Sequence, residues 1–313
     1  MDSISLIPIL KDFIWGGNRL VNEYHILSSL PRIAEAWLLS PSPETSVIAD
    51  GELAGKDISA LLSSGEKLEE EFPLLIKLID AKEALSIQVH PDDAYAKKMH
   101  LTRGKTEMWY VLDAKPDSYI YYGFSTPVDE ETLREKIDDG SILDVLQKTE
   151  VHKGDVYYIP SGTLHAIGPG IVIAEVQQNS TITYRVFDFD RVDEDGNTRE
   201  LHVDDALAVL KPICMPTHSR PKIVEENEKF QLHELVTCDY FDVYRYIVAT
   251  KAEIPGNEDC WRAVLVTEGE GNLYTKKNGP RSGRNLVKGE LVLLPKSNEE
   301  FILDGQVEAL LVK

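Results

Sequence analysis

The chain has 313 residues, enough to bury one large core or two ordinary ones, and its 42% apolar and 27% charged content is that of a globular protein. Lys and Arg number 33 against 53 Asp and Glu, a formal net charge of -20. Nucleic acid would therefore meet a repulsive field, and any anionic ligand needs a local basic pocket.

The first residues, MDSISLIPIL, carry no basic segment, and no apolar window approaches the length needed to cross a bilayer. These features predict a cytoplasmic protein with no membrane partner. A first helical pattern spans Asp57 to Leu62, and a second spans Asp92 to Met99 just after SIQVHP. Two strong β runs follow, EMWYVLDA and YIYYGF. Glu130 to Leu146 reads as a helix behind Pro127 with an acidic first turn, part of a helical insertion over about 129–149. DVYYIPSG, IVIAEVQQ and ITYRVFDF are again strands, and VDDALAVL is a short helix that Pro212 should end. Residues 213–227, with Pro216 and Pro221 and little periodicity, read as a linker. Beyond it YRYIVAT, RAVLVTEG and ELVLLP are strands. Cys214, Cys238 and Cys260 lack metal-type spacing and are expected as small buried side chains.

This spacing points to sandwich or barrel architecture rather than a parallel βαβ sheet. One turn pattern occurs twice without a gap: Gly154, Pro160, Gly162 and His165 in the first half, then Gly289, Pro295, Ser297 and Glu300 in the second. The repeat predicts two related β domains, 1–222 and 223–313. The last residue of each copy is expected inside its barrel, so a ligand position would be filled by His165 and lost at Glu300.

The pattern Gly154 to His165 resembles the second motif of the cupin superfamily of small jelly-roll barrels. With SIQVHP at 86–91, GKTEMWY at 104–110, PSGTLHAI at 160–167 and EVQQNSTITYRVFDFDR at 175–191, the chain resembles the type I mannose-6-phosphate isomerases, particularly the short bacterial form. The resemblance runs from Trp15-Gly16 to the final strand. It implies a mainly β protein of two cupin-like jelly rolls with a few short helices inserted in the first. The first would hold one Zn2+ per chain and the second none, and a phosphorylated hexose would be the substrate.

Zinc takes nitrogen and oxygen ligands, and a catalytic site supplies about three protein groups with one position open. His90, Glu107 and His165 would make such a set, His165 coming from the sheet opposite Glu107. The resemblance implies the same assignment, with Gln88 as a fourth, weaker ligand on the same strand face as His90. Glu107 heads a strand too apolar to bury a carboxylate without a cation. The other histidines, His25, His100, His152, His202, His218 and His233, read as solvated or hydrogen-bonded.

Aldose–ketose interconversion moves a proton between neighbouring carbons and builds negative charge on enediolate oxygens. Arg185, where the family has its active-site arginine, is the candidate cation; the alternative is a surface arginine paired with Asp188 or Asp190. Lys105 and Glu175 are both candidate bases, and the choice stays open. Long-form members have an aspartate four residues before the arginine, where this chain has Thr181. The resemblance suggests that Ser86 contacts phosphate; Lys97, Lys98 and Arg103 are further basic candidates, and Trp15 a pocket wall. An iron dioxygenase on the same fold and a non-catalytic sugar-binding protein remain alternatives. Oligomeric state is not legible, and a monomer is expected.

Overall fold

In a computed structural model, described for residues 3–192, 195–211, 214–215 and 220–313, the β-rich runs become antiparallel strands in three sheets. A six-stranded sheet runs in the order Val156–Ile159, Glu107–Ala114, Ile171–Gln178, Leu74–Ala81, Glu35–Leu39, Ile9–Lys11. A five-stranded sheet runs Tyr184–Phe187, Ile87–Val89, His165–Ile167, Tyr119–Phe124, Leu146–Glu150. The two enclose a barrel, because alternate residues of a strand face opposite ways. Trp109 and Val111 join Ile79, Tyr157 and Ile173 in one apolar cluster, whereas Met108, Tyr110 and Leu112 join a different one with Leu265, Leu293 and Leu310 of the C-terminal half. Being covered on both faces explains why Leu74–Ala81 is buried at every position and reads as a continuous apolar run.

The outer face of the five-stranded sheet is covered by helices Glu130–Asp138 and Val203–Val209, whose Leu133, Ile137, Ala206 and Val209 cluster with Ile87, Val89 and Ala166. Asp129 caps the first of these through the backbone N–H of Thr132. The expected insertion is shorter than 129–149: after the turn Ile142–Val145, residues Leu146–Glu150 form the edge strand of the sheet. Helix Asp93–Lys98 is capped by Asp92, and Asp57 caps the single turn Ile58–Leu61.

The C-terminal half is built on two long strands, Arg262–Thr275 and Phe301–Val312, which pair along most of their length and bend at an irregularity between Val266 and Glu268. Their inner residues Val264, Val266, Leu303 and Val307 share a second barrel core with Tyr246, Ile254 and Phe301. Two short segments of the first half complete this sheet: Ile4–Ile7 pairs with Leu291–Leu294, and Val47–Ile48 pairs with Ile4–Ile7. Residues 4–7 and 47–48, expected within a domain 1–222, thus belong by hydrogen bonding to the other half. Lys222–Glu226, expected as linker, is instead an edge strand on Phe230–Thr237. All five of its residues are exposed, so neither face left an alternation to read.

The repeat is real in the backbone. Gly154 and Gly289 share φ of 92°, a left-handed value that favours glycine, and each precedes a buried strand. Glu300 does not enter the second barrel as expected; it is exposed and pairs with Lys276 at 2.6 Å. Cys214 is exposed and Cys238 and Cys260 half-buried, so the expectation of three buried thiols fails. His218 lies outside the described residues. Among the described residues no helix is long and apolar enough to span a membrane.

Candidate metal centre and active-site cavity

Two rows of side chains face each other across the first barrel. In the six-stranded sheet, register aligns Trp37, Lys77, Glu175, Trp109 and Tyr157, and one pleat along aligns Gln177, Glu107 and Ile159. In the five-stranded sheet it aligns Arg185, Gln88, His165 and Tyr122. His165 is therefore opposite Glu107 but beside Gln88. His90 follows directly on Ile87–Val89 and stays buried.

These rows bring His90, Glu107 and His165 together, with ligand atoms all within 4.8 Å of one another. His90 Nδ1–H donates to the Ile182 carbonyl and His165 Nδ1–H to the Thr163 carbonyl, each at 2.9 Å. That fixes the tautomer and turns both Nε2 lone pairs inward. Nε2 of His90 lies 3.5 Å from Glu107 Oε2, and Nε2 of His165 lies 3.2 Å from Oε1. Both Nε2 atoms and Oε1 are buried without a hydrogen-bond partner among the described residues, and Oε2 is buried with the Lys105 ammonium beside it. Orphaning buried acceptors costs about 1–3 kcal/mol each, and a divalent ion would satisfy all four at once. Burial, then the Lys105 cation, hold His90 well below its ordinary pKa. Burial opposes ionisation of Glu107, but Lys105 and the two imidazoles hold its carboxyl well below the usual range. For His90 and Glu107 these shifts favour the neutral imidazole and the carboxylate, the forms that bind a metal.

Beside the cluster lies a cavity of about 510 Å³, lined by Gln88, Lys105, Glu175, Arg185, Ser86 and Trp15 among others. Lys105 links the two, its Nζ 3.0 Å from Glu107 Oε2. Glu175 is not in the purely apolar setting its strand suggests: Lys77 stands 2.9 Å from Oε2, and Trp109 Nε1–H donates to Oε1 at 3.0 Å. Lys77 also pairs with Glu35 at 3.3 Å, and Trp37 Nε1–H donates to Glu35 at 2.6 Å. Burial opposes the charge on Lys77, but the two carboxylates raise its pKa above the ordinary lysine value.

On the facing wall Arg185 Nε–H donates to Ser86 Oγ at 3.2 Å and Nη1–H to the Glu200 carbonyl at 2.8 Å. Asp188 does not pair with it. That carboxylate is taken by Arg191 and Arg199, with Arg199 Nε–H donating at 2.7 Å. Burial, then neighbouring Arg199, lower the Arg185 pKa, with Asp188 opposing them from a distance. Thr181 lines the cavity; Lys97 and Lys98 are exposed on their helix and, with Arg103, stand outside the lining.

Residues 4–119 match the family model for the catalytic domain of type I phosphomannose isomerase, and residues 231–313 match the mannose-6-phosphate isomerase cupin domain. The Bacillus subtilis mannose-6-phosphate isomerase ManA is 35% identical over 97% of this chain and 96% of its own. The chain belongs to the type I phosphomannose isomerase family. A Streptococcus mutans mannose-6-phosphate isomerase is 36% identical over 94% of the chain and 93% of its own. The crystal structure of the mannose 6-phosphate isomerase from B. subtilis superposes with TM-score 0.90 at 32% identity, covering all of both chains. In this family member the polar wall Lys77, Glu35, Trp37 and Arg199 was not foreseen from sequence. One signal was available: a lysine inside LLIKLIDA is costly to bury unless something in the site needs it.

Proposed function

We propose that this chain interconverts mannose 6-phosphate and fructose 6-phosphate through an enediolate, with zinc at His90, Glu107 and His165 and Gln88 as an additional oxygen ligand. The observation that carries this reading is the convergence of four buried ligand atoms beside a cavity whose far wall holds Arg185, which pairs with no carboxylate among the described residues. Zinc there would supply Lewis-acid stabilisation of charge developing on sugar oxygens. Ser86 and Arg199 would take the phosphate, on a chain whose acidic surface otherwise repels it. Arg185, always charged and adjacent to Gln88 in register, would stabilise the enediolate oxygens. Glu175 is our candidate to carry the proton between the two carbons, since its carboxylate is held in place by Lys77 and Trp109. Lys105, as partner of Glu107, would offer N–H donors to the reacting oxygens. Trp15, buried against the cavity, would wall the sugar ring.

A coupled assay for fructose 6-phosphate, run before and after chelation and again after zinc restoration, tests the proposal. Turnover lost on chelation and restored by zinc is the expected result. Oxygen consumption, or sugar-phosphate binding without turnover, would instead support an oxygenase or a binding protein and overturn it.

A further inference from the structure

The two barrels share equivalent backbone pairings around the metal position. Ile159 pairs with Glu107 in the first as Leu294 pairs with Arg262 in the second. The Gly162 N–H donates to the His90 carbonyl as the Ser297 N–H donates to the Asn257 carbonyl, both at 2.8 Å. His165 sits opposite Gln88, and Glu300 follows the pair Ile254 and Phe301 so as to stand opposite Pro255. The ligand positions Gln88, His90, Glu107 and His165 thus become Pro255, Asn257, Arg262 and Glu300. The last has turned out to solvent, so the carboxylate of the first barrel is replaced by a guanidinium with no acid returned to face it.

Arg262 is 3% exposed, and its strand neighbours Val264 and Val266 lie in the second barrel core. Nη1–H donates to the Pro255 carbonyl. Nε and Nη2 are buried with no partner. These two nitrogens form one edge of the guanidinium, the edge whose parallel N–H groups match two oxygens of an oxyanion. No carboxylate among the described residues pairs with it, and the group cannot shed its proton. A buried charge with two idle donors costs several kcal/mol unless a counter-ion meets it.

We infer that Arg262 binds a small oxyanion, of the size of a formate or acetate carboxylate, at the place in the second barrel that corresponds to the metal position of the first. The near-complete burial excludes a sugar phosphate as occupant.

The test uses the full chain, following its thermal midpoint as sodium formate replaces sodium chloride at constant ionic strength, in wild type, Arg262→Lys, Arg262→Met and Arg185→Ala. The expected result is a saturable rise in the wild type, a half-saturating concentration at least tenfold higher in Arg262→Lys, and no rise in Arg262→Met. Arg185→Ala should respond as the wild type does, which separates this site from the active-site cavity. Should Arg262→Met not fold, Arg262→Lys carries the comparison. A wild type without a saturable rise, an Arg262→Lys variant saturating at the wild-type concentration, or a response abolished by Arg185→Ala would each overturn the inference.

Discussion

Replacing Lys77 by methionine keeps most of the side-chain volume and removes its charge from between two buried carboxylates. In the folded protein Glu175 at 2.9 Å and Glu35 at 3.3 Å would then face each other with only Trp109 and Trp37 N–H groups as partners. Breaking a buried pair by removing one partner costs about 3–5 kcal/mol, because an uncompensated charge remains. At roughly 1.5 °C per kcal/mol for a chain of 313 residues, the thermal midpoint should fall by about 5–8 °C. Circular dichroism melts of Lys77→Met, Glu175→Gln and the double variant would measure it. The double variant should recover part of the loss, with a coupling of about 1–3 kcal/mol. A single-variant loss below about 1 kcal/mol, the range of exposed pairs, would refute the reasoning. So would strict additivity of the two substitutions.

His165→Ala should lose bound metal and turnover together, and zinc retained at wild-type stoichiometry by elemental analysis would remove it from the ligand set. Arg185→Ala should keep its metal while kcat falls by about 10²-fold or more; an unchanged kcat would confine the residue to a structural role. Burial works against ionisation of Asp188, but Arg199 and Arg191 hold its pKa below the ordinary value of 3.8. A depressed folded-state pKa means that its contribution is complete above about pH 4 and disappears as pH falls lower. Melts from pH 6 to pH 3 should therefore show a steeper acid loss in wild type than in Asp188→Asn, and parallel profiles would contradict this. Tyr110→Phe removes the hydroxyl that donates to Glu308 Oε1 at 2.6 Å across the two halves. It should cost about 1–3 kcal/mol in urea unfolding with metal content unchanged.

Much of this arrangement was legible because it depends on local rules. EMWYVLDA, YIYYGF and IVIAEVQQ are strands over those same residues, since β-branched and aromatic runs bounded by turn formers have few alternatives. His90, Glu107 and His165 stood out as polar residues set in apolar strands, and the fold brings them together. What escaped was set by distant pairing. Ile4–Ile7 has no local feature that sends it to residues 291–294. Arg199 joins the cavity only because Asp188 folds back to hold it. The helix Arg19–Tyr24 was missed because six residues carry too little periodicity, and its place is set by Leu20 and Tyr24 packing into the core between the halves.

The pairing of Ile4 with Leu293 sets a delay on synthesis as well as a shape. These partners are about 290 residues apart, which at roughly 5–20 residues per second separates their emergence from the ribosome by about 15–60 s. Throughout that interval the first strand can pair with Val47–Ile48 on one edge, while its other edge lacks the backbone donors and acceptors of Leu291–Leu294. The apolar flank bearing Met108, Tyr110 and Leu112 waits uncovered for the same reason. The residues of the first barrel are all made before the strands that cover its outer wall, so that wall is finished only by the last strands made.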